Sequence, residues 1–159
     1  MSSRISIAGH PLHPMLVTIP IGLWVFSLVA DIVFSLTGDA RWETSAYFTL
    51  GGGVVGALMA AVPGLLDYLG LHEKRERRIA SFHLSLNLAI VAIQAFNFWL
   101  RSQAGSGGPR LPMLISVVAV AALVVSGWLG GQLVHVLGVT QPHHAAPGEL
   151  ERDRLHPRT

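Results

Sequence analysis

Histidine is the residue type in this sequence with the clearest capacity for cofactor chemistry. The chain contains eight histidines and no cysteine, so any metal or haem site must use histidine, carboxylate, methionine or backbone ligands. Four of the histidines lie in or beside apolar segments, where the position of an ionisable group is a functional hypothesis by default. They are His10 and His13, in the motif GHPLHP, and His83 and His135.

The charged residues are few, and their positions indicate what surrounds these histidines. Charged side chains make up 13% of the 159 residues, and four uncharged stretches of about 20 residues or more separate them. A soluble bundle would need a charged face on each helix, whereas a helix of this length crosses a bilayer. The pattern predicts an all-α polytopic membrane protein, a four-helix transmembrane bundle with up-down topology. The predicted helices cover about residues 14–36, 46–69, 79–100 and 112–137 of a transmembrane domain formed by residues 1–139.

Lysine and arginine residues concentrate on one side of this predicted bundle. The side with both termini and the loop between the second and third helices carries eight of them, and the opposite side carries three. By the positive-inside rule, both termini are expected to be cytoplasmic. The polar segment 140–159 is predicted to be a disordered cytoplasmic tail. Because topology explains the basic balance, we expect the lipid bilayer as a partner and no binding of nucleic acid.

The up-down topology places the four histidines at the same membrane level. Each lies at the cytoplasmic end of its helix, and Asp67 near the end of the second helix reaches that level too. We therefore expect a cluster in which His10, His13, His83, His135 and Asp67 hold a metal ion or a cofactor. The alternative is a polar cap that is held together by hydrogen bonds alone.

The third helix carries a stripe of polar side chains at alternating steps of four and three residues, which places them on one face. In lipid such a face must point into the bundle. Arg101, at the outer end of the stripe, is level with Asp31 on the first helix, and we expect a structural ion pair there. The polar members of the stripe are His83, Asn87, Gln94, Asn97 and Arg101.

Glycines mark two further helix faces. On the second helix, Gly52, Gly56 and Gly64 form a small-residue ridge that predicts close helix packing. On the fourth helix, Gly127 and Gly131 precede His135 in steps of four, which predicts a gap for a neighbouring helix or a flat ligand. No internal repeat is apparent beyond the general likeness of one apolar helix to another.

Three hypotheses for the cluster remain open. A single haem b would be held by His13 and His83, a diagonal pair in an up-down bundle, with His135 and His10 as alternates. This hypothesis predicts electron transfer. A non-haem iron, copper or zinc centre would use the imidazoles together with Asp67, as a ligand or as the group that orients a histidine. In the third hypothesis the cluster holds the helices together in a non-catalytic membrane scaffold or assembly subunit. The sequence leaves open whether the protein is an enzyme.

Three segments of the chain resemble a bacterial family of predicted four-helix membrane proteins, domain of unknown function 2231 (DUF2231). They are GHPLHPMLVTIPIGLWVFSLVADI, FHLSLN and GWLGGQLVHVLGV, and the resemblance covers about residues 5–140. It implies the cytoplasmic (inner) membrane of a bacterium and no established activity. Some members look fused to Rieske iron-sulfur domains, which implies a redox partner such as an iron-sulfur protein, although this chain has no cysteine. The characteristic positions of the family fall here at His10, His13, Asp31, Asp67, His83, Asn87, Gly130, Gly131 and Gly138.

Overall fold

A computed structural model describes residues 6–7, 10–103 and 110–136, with side chains for residues 10–103 and 110–134. Four helices in this part of the chain are long and apolar enough to cross a membrane. The predicted four-helix transmembrane bundle is therefore confirmed. The predicted tail, residues 140–159, lies outside the described residues. We call the four helices spans 1 to 4, and they cover Leu12–Thr37, Ala40–Leu69, Lys74–Gln103 and Arg110–Val134.

The chain enters span 1 through a short antiparallel ladder between β1 (Ser6–Ile7) and β2 (His10–Pro11). Span 1 then consists of α1 (Leu12–Leu16) and α2 (Thr18–Thr37), which are separated by a turn at one residue. Pro20 explains this break, because a proline ring clashes with the carbonyl group four residues earlier in a continuous helix.

The remaining helices are α3 (Ala40–Leu69), α4 (Lys74–Gln103) and α5 (Arg110–Gly131), and a π-helical turn at Gln132–Val136 follows α5. These helices begin earlier than the sequence predicted, because charged residues occupy their first turns instead of preceding them. The start of α3 has a local cause: the carboxylate of Asp39 accepts the backbone N–H of the second helical residue at 3.0 Å.

The four spans pack around a common centre. Span 1 contacts spans 2 and 4, and span 3 contacts the same two, so that spans 1 and 3 lie on a diagonal. Each span contributes one residue to the buried apolar core, which consists of Trp24, Leu50, Ile90 and Ala119. Buried polar residues lie beside this core, and the membrane environment requires that they face inward.

Spans 1 and 2 form one helical hairpin, spans 3 and 4 form a second, and the two hairpins bury equivalent positions. Each residue of span 1 corresponds to the residue 70 positions later, in span 3, as Asp31 corresponds to Arg101. Each residue of span 2 corresponds to the residue 66 positions later, in span 4, as Ala60 corresponds to Ser126. This equivalence corrects the expectation that the chain has no internal repeat. The equivalent buried pairs are Pro20 and Ile90, Trp24 and Gln94, Ser27 and Asn97, Ala46 and Pro112, Leu50 and Ser116, and Ala60 and Ser126.

The hairpins are related by an approximate two-fold axis. A residue can contact its own equivalent only where the two copies meet near such an axis. Asp31 and Arg101 are equivalent under the 70-residue offset, and they are bonded to each other. The axis therefore passes between spans 1 and 3, the diagonal pair that also carries His13 and His83.

Candidate functional site

His13 binds the backbone of span 2 through one ring nitrogen. Its Nδ1 atom lies 2.8 Å from the carbonyl oxygen of Ala60. Because a carbonyl can only accept, Nδ1 carries the proton, and Nε2 of the neutral ring keeps its lone pair. One turn further along span 2 is Gly64, where an added Cβ would lie 2.7 Å from the imidazole. A side chain at this position would displace the ring.

His83 makes the same contact with span 4. Its Nδ1 atom lies 3.1 Å from the carbonyl oxygen of Ser126, and one turn further a Cβ added to Gly130 would lie 3.2 Å from the ring. His83 therefore has the same tautomer as His13, and its Nε2 atom also keeps its lone pair. The two contacts are equivalent under the offsets that relate the hairpins.

Asn87 lies beside the second imidazole, one turn along span 3. Its Nδ2 atom is 2.7 Å from the Ser126 hydroxyl, 2.8 Å from the His83 carbonyl oxygen and 3.2 Å from His83 Nε2. An amide nitrogen has two hydrogens for these three acceptors, and the contact with Nε2 is the longest. Of the three contacts of Asn87 Nδ2, the one with His83 Nε2 is therefore the most easily broken. Its loss would free the lone pair of His83 for another partner.

The paired imidazoles have the donor set of an axial ligand pair. His13 and His83 lie on the diagonal spans, at the same end of the bundle. An Nδ1–H group that is bonded to a backbone carbonyl fixes the ring orientation and makes Nε2 a better donor, which is the usual state of a histidine that binds metal. Each imidazole therefore has one nitrogen, Nε2, whose lone pair can bind an acceptor.

The other predicted ligands are His10, Asp67 and His135, and the structure describes the side chains of the first two. His10 is exposed on β2, outside the helices, while Asp67 is half-buried near the end of span 2. His135 lies in the π-helical turn, and its side chain is outside the described atoms. Within the described part of the chain, no group of three or more His, Asp or Glu side chains could hold a metal ion. His10, His13, His83 and Asp67 therefore form no such group, and the part of the prediction that concerns His135 lies outside the described side chains.

At the opposite end of the bundle, the expected ion pair is present. Arg101 donates from Nη1 and Nη2 to the two carboxylate oxygens of Asp31, each at 2.7 Å, and both side chains are 9% exposed. Arg101 also donates to Asn97 Oδ1 at 3.3 Å and to Ser116 Oγ at 3.2 Å. The guanidinium is therefore held by groups from spans 1, 3 and 4.

A hydrogen-bonded chain leads from this pair into the bundle. Asn97 Nδ2 lies 2.9 Å from Ser116 Oγ, 3.1 Å from the Pro112 carbonyl oxygen and 3.3 Å from Gln94 Oε1. Gln94 and Asn97 have no exposed surface. The polar stripe predicted on the third helix therefore faces inward, and it reaches the apolar core at Gln94.

The glycine ridge of span 2 packs against span 1, as the sequence predicted. A Cβ added to Gly56 would lie 3.2 Å from Ile19, and one added to Gly52 would lie 3.4 Å from Leu23. On span 4, no described helix lies against the predicted pair of glycines, and a flat ligand in that gap stays a prediction. An added Cβ at Gly127 or Gly131 would meet no described atom within 4 Å, because the face of span 4 that contacts His83 carries Ser126 and Gly130.

Spacing on the fourth helix did not reveal the residues that hold the second imidazole. Ser126 contributes a backbone carbonyl, which no side-chain pattern reports, and Gly130 was indicated by the family resemblance alone. A usable signal does exist, because Ala60 and Gly64 are four residues apart, as are Ser126 and Gly130. The offset of 66 residues between spans 2 and 4 aligns these two pairs.

Comparison with known proteins identifies a family for the chain. No curated protein and no solved structure is significantly similar to the chain. The model of a family described as "Predicted membrane protein (DUF2231)" matches residues 9–142. This match covers all four spans and both histidines of the pair. The chain therefore belongs to the DUF2231 family of predicted membrane proteins.

Proposed function

We propose that the protein binds one cofactor between His13 and His83, most simply a single haem b, and transfers electrons at the cytoplasmic end of the bundle. The observation that carries this proposal is the matched anchoring of the two imidazoles. Each donates Nδ1–H to a backbone carbonyl and therefore has its lone pair on Nε2, which in His83 accepts from Asn87 Nδ2 at 3.2 Å. Two histidines on diagonal helices are the usual axial ligands of haem b in a membrane bundle.

The donor set favours haem over a metal ion with several protein ligands. A haem iron needs two axial donors from the protein, since the macrocycle supplies the other four. A zinc or non-haem iron centre generally needs three or four protein ligands. Such a group is absent from the described residues.

The residues around the pair would hold both donors in place. A bound haem b would supply a one-electron couple. The carbonyl groups of Ala60 and Ser126 would fix the ring orientations and strengthen both Nε2 donors. Asn87 would release His83 Nε2 and keep its two shorter hydrogen bonds. The glycines at the two rings allow the spans to approach closely enough for the carbonyl contacts.

The orientation and location belong to the same proposal. The run of exposed basic residues that precedes His83 lies at the histidine end of the bundle and suits the cytoplasmic face of a bacterial inner membrane. A redox partner, such as an iron-sulfur protein, would then exchange electrons at that face. The exposed basic residues are Lys74, Arg75, Arg77 and Arg78.

The test is the ultraviolet-visible spectrum of detergent-purified protein that was expressed with haem supplementation. We expect a Soret band with about one haem per chain, and its loss in His13→Ala and His83→Ala. His72→Ala, which removes an exposed histidine in the loop between spans 2 and 3, should leave the band unchanged. A wild-type protein without a Soret band would overturn the haem proposal. Elemental analysis of the same sample would then show whether a transition metal is bound instead.

A second candidate function, that of a scaffold subunit, also rests on a specific observation. Both histidines already bond the neighbouring span and lie against its glycine. In a scaffold, this contact would serve only to join the helices of each hairpin. His83→Ala would then lower the thermal stability of a colourless, metal-free protein, with no change in any spectrum.

A further inference from the structure

We infer that the bundle holds a bound water molecule at Gln94. This residue lies between the apolar core and the hydrogen-bonded chain that begins at Arg101. Gln94 has no exposed surface, and its Nε2 atom has no hydrogen-bond partner among the residues that the structure describes. Its Oε1 atom lies 3.3 Å from Asn97 Nδ2, the longest of the three contacts of that nitrogen, so the end of the Gln94 amide without a partner is the donor end. A buried amide without a partner is costly inside a membrane, where bulk water cannot supply one.

The equivalent position in the other hairpin shows how a complete contact is made. Gln94 corresponds to Trp24, whose indole N–H donates to the Leu50 carbonyl oxygen at 3.2 Å. Trp24 also lies against Gly53, where an added Cβ would overlap the indole. The first hairpin therefore satisfies its buried donor with its own backbone and fills the site with a large ring.

The second hairpin has smaller and more polar side chains around the same site. Leu50 corresponds to Ser116, and Gly53 corresponds to Ala119. The extra methyl group of the alanine replaces only part of the volume that an indole and a leucine side chain would fill. A buried donor without a partner, in a hairpin whose side chains at the equivalent positions are smaller and more polar, is where we expect a buried water.

The hydrogen bonds of the surrounding residues indicate that the bound molecule accepts hydrogen bonds. Ser116 Oγ already accepts from Asn97 Nδ2 at 2.9 Å and from Arg101 Nη2 at 3.2 Å, so its own hydrogen is available to donate. Gln94 Nε2 and this hydroxyl are therefore both donors, and a water oxygen can accept from two donors. A bound anion is disfavoured, since Arg101 is already neutralised by Asp31.

Water-edited solid-state NMR of the full chain in lipid vesicles tests this inference. The protein is labelled with ¹⁵N in its glutamine side chains and tryptophan indoles, and magnetisation transfer from water to each N–H is measured. The Gln94 and Trp24 signals are assigned by their loss in Gln94→Met and Trp24→Phe. We expect rapid transfer to the Gln94 amide and slow transfer to the Trp24 indole, which serves as a control for a protein-bonded donor.

Three outcomes would overturn the inference. The first is transfer to Gln94 as slow as that to Trp24. The second is a shift of the Gln94 signal when chloride in the buffer is replaced by gluconate, which would identify the bound molecule as an anion. The third is an increase in the unfolding temperature of Gln94→Met, because removal of an amide that truly lacks a partner stabilises a protein. Loss of the water contact should instead lower the unfolding temperature.

Discussion

Asp31 and Arg101 occupy equivalent positions in the two hairpins, 70 residues apart, and form a two-pronged ion pair with both oxygen–nitrogen distances at 2.7 Å. A perfect repeat would place two like charges at this point. The chain instead carries opposite charges where the two copies meet. Asp31 and Arg101 therefore attract each other across the axis, where two like charges would repel. The pair therefore ties span 1 to its diagonal partner, span 3.

The ion pair should be a large contributor to the stability of the bundle. Asp31→Ala or Arg101→Ala leaves the remaining charge buried and unpaired, which costs about 3–5 kcal/mol in the free energy of unfolding. The measurement is unfolding in mixed micelles, with wild-type and variant proteins compared under the same conditions. A loss below about 1 kcal/mol in both variants would show that the pair is hydrated and contributes little.

Reversal of the pair should restore only part of that loss. In the double variant Asp31→Arg with Arg101→Asp, the two charges still meet near the axis. Arg101 also has Asn97 and Ser116 as acceptors, whereas the equivalents of those residues near position 31 are Ser27 and Leu50. We expect the double variant to be more stable than either single alanine variant and less stable than the wild type. Stability no greater than that of the single variants would contradict the two-fold relationship.

The glycines that contact the paired histidines should resist substitution. Gly64→Ala places a methyl group 2.7 Å from the ring of His13, and Gly130→Ala places one 3.2 Å from the ring of His83. Overpacking of this kind costs about 1–3 kcal/mol, and the closer contact at Gly64 should cost more. The matched control is Gly127→Ala on span 4, where the methyl group meets no described atom within 4 Å. That change should stabilise the helix by roughly 0.5–1 kcal/mol.

Thermal unfolding of the three glycine variants checks this order. If Gly130→Ala and Gly127→Ala have the same unfolding temperature, His83 does not lie against span 4 at Gly130. For a protein that binds haem, Gly64→Ala and Gly130→Ala should also shift the Soret band, because displaced rings change the axial ligation. Gly127→Ala should leave the band in place.

The loop between spans 1 and 2 contains a charged helix cap, and we expect its contribution to depend on pH. The side chain of Arg41, together with its backbone N–H, holds the pKa of the Asp39 carboxyl below its usual value. A carboxyl with a lowered pKa in the folded state contributes stability at neutral pH, and this contribution is lost as the pH falls below about 4. The unfolding temperatures of wild type and Asp39→Ala should therefore differ at pH 7, and the difference should shrink as the pH falls below about 4. A difference that is independent of pH would show that the charge of Asp39 plays no part.

The positions of the charged residues predicted much of this fold, because a charged side chain inside the hydrocarbon core of a membrane is costly. The four spans follow from the uncharged stretches, and the pair of Asp31 and Arg101 follows from their equal depth. The rotation of span 4 was harder to predict. Apart from Ser116 and Ser126, the membrane-spanning part of this helix is apolar, so no continuous polar stripe marks the side that contacts His83, and Gly127 was as plausible a contact as Gly130.

The internal repeat was hidden for a different reason. Few equivalent residues are identical, although His13 matches His83 and Gly64 matches Gly130. The offset also changes between the two helices of each hairpin, because the second hairpin has a shorter connection between equivalent positions. The equivalence becomes visible in the hydrogen bonds to backbone carbonyls, and these depend on three-dimensional packing and not on residue type.

The repeat makes a further prediction about Trp24 and Gly53. A methyl group at Gly53 would overlap the indole of Trp24, so Gly53→Ala should destabilise the bundle by about 1–3 kcal/mol or more.

The second hairpin carries Gln94 and Ala119 at the equivalent positions, a combination that accepts the methyl group. The double variant Trp24→Gln with Gly53→Ala should therefore be more stable than the sum of the two single changes. Unfolding of the four proteins in a double-mutant cycle measures this coupling, which should exceed about 0.5 kcal/mol. Strict additivity would mean that the two hairpins do not share one packing arrangement at this level of the membrane.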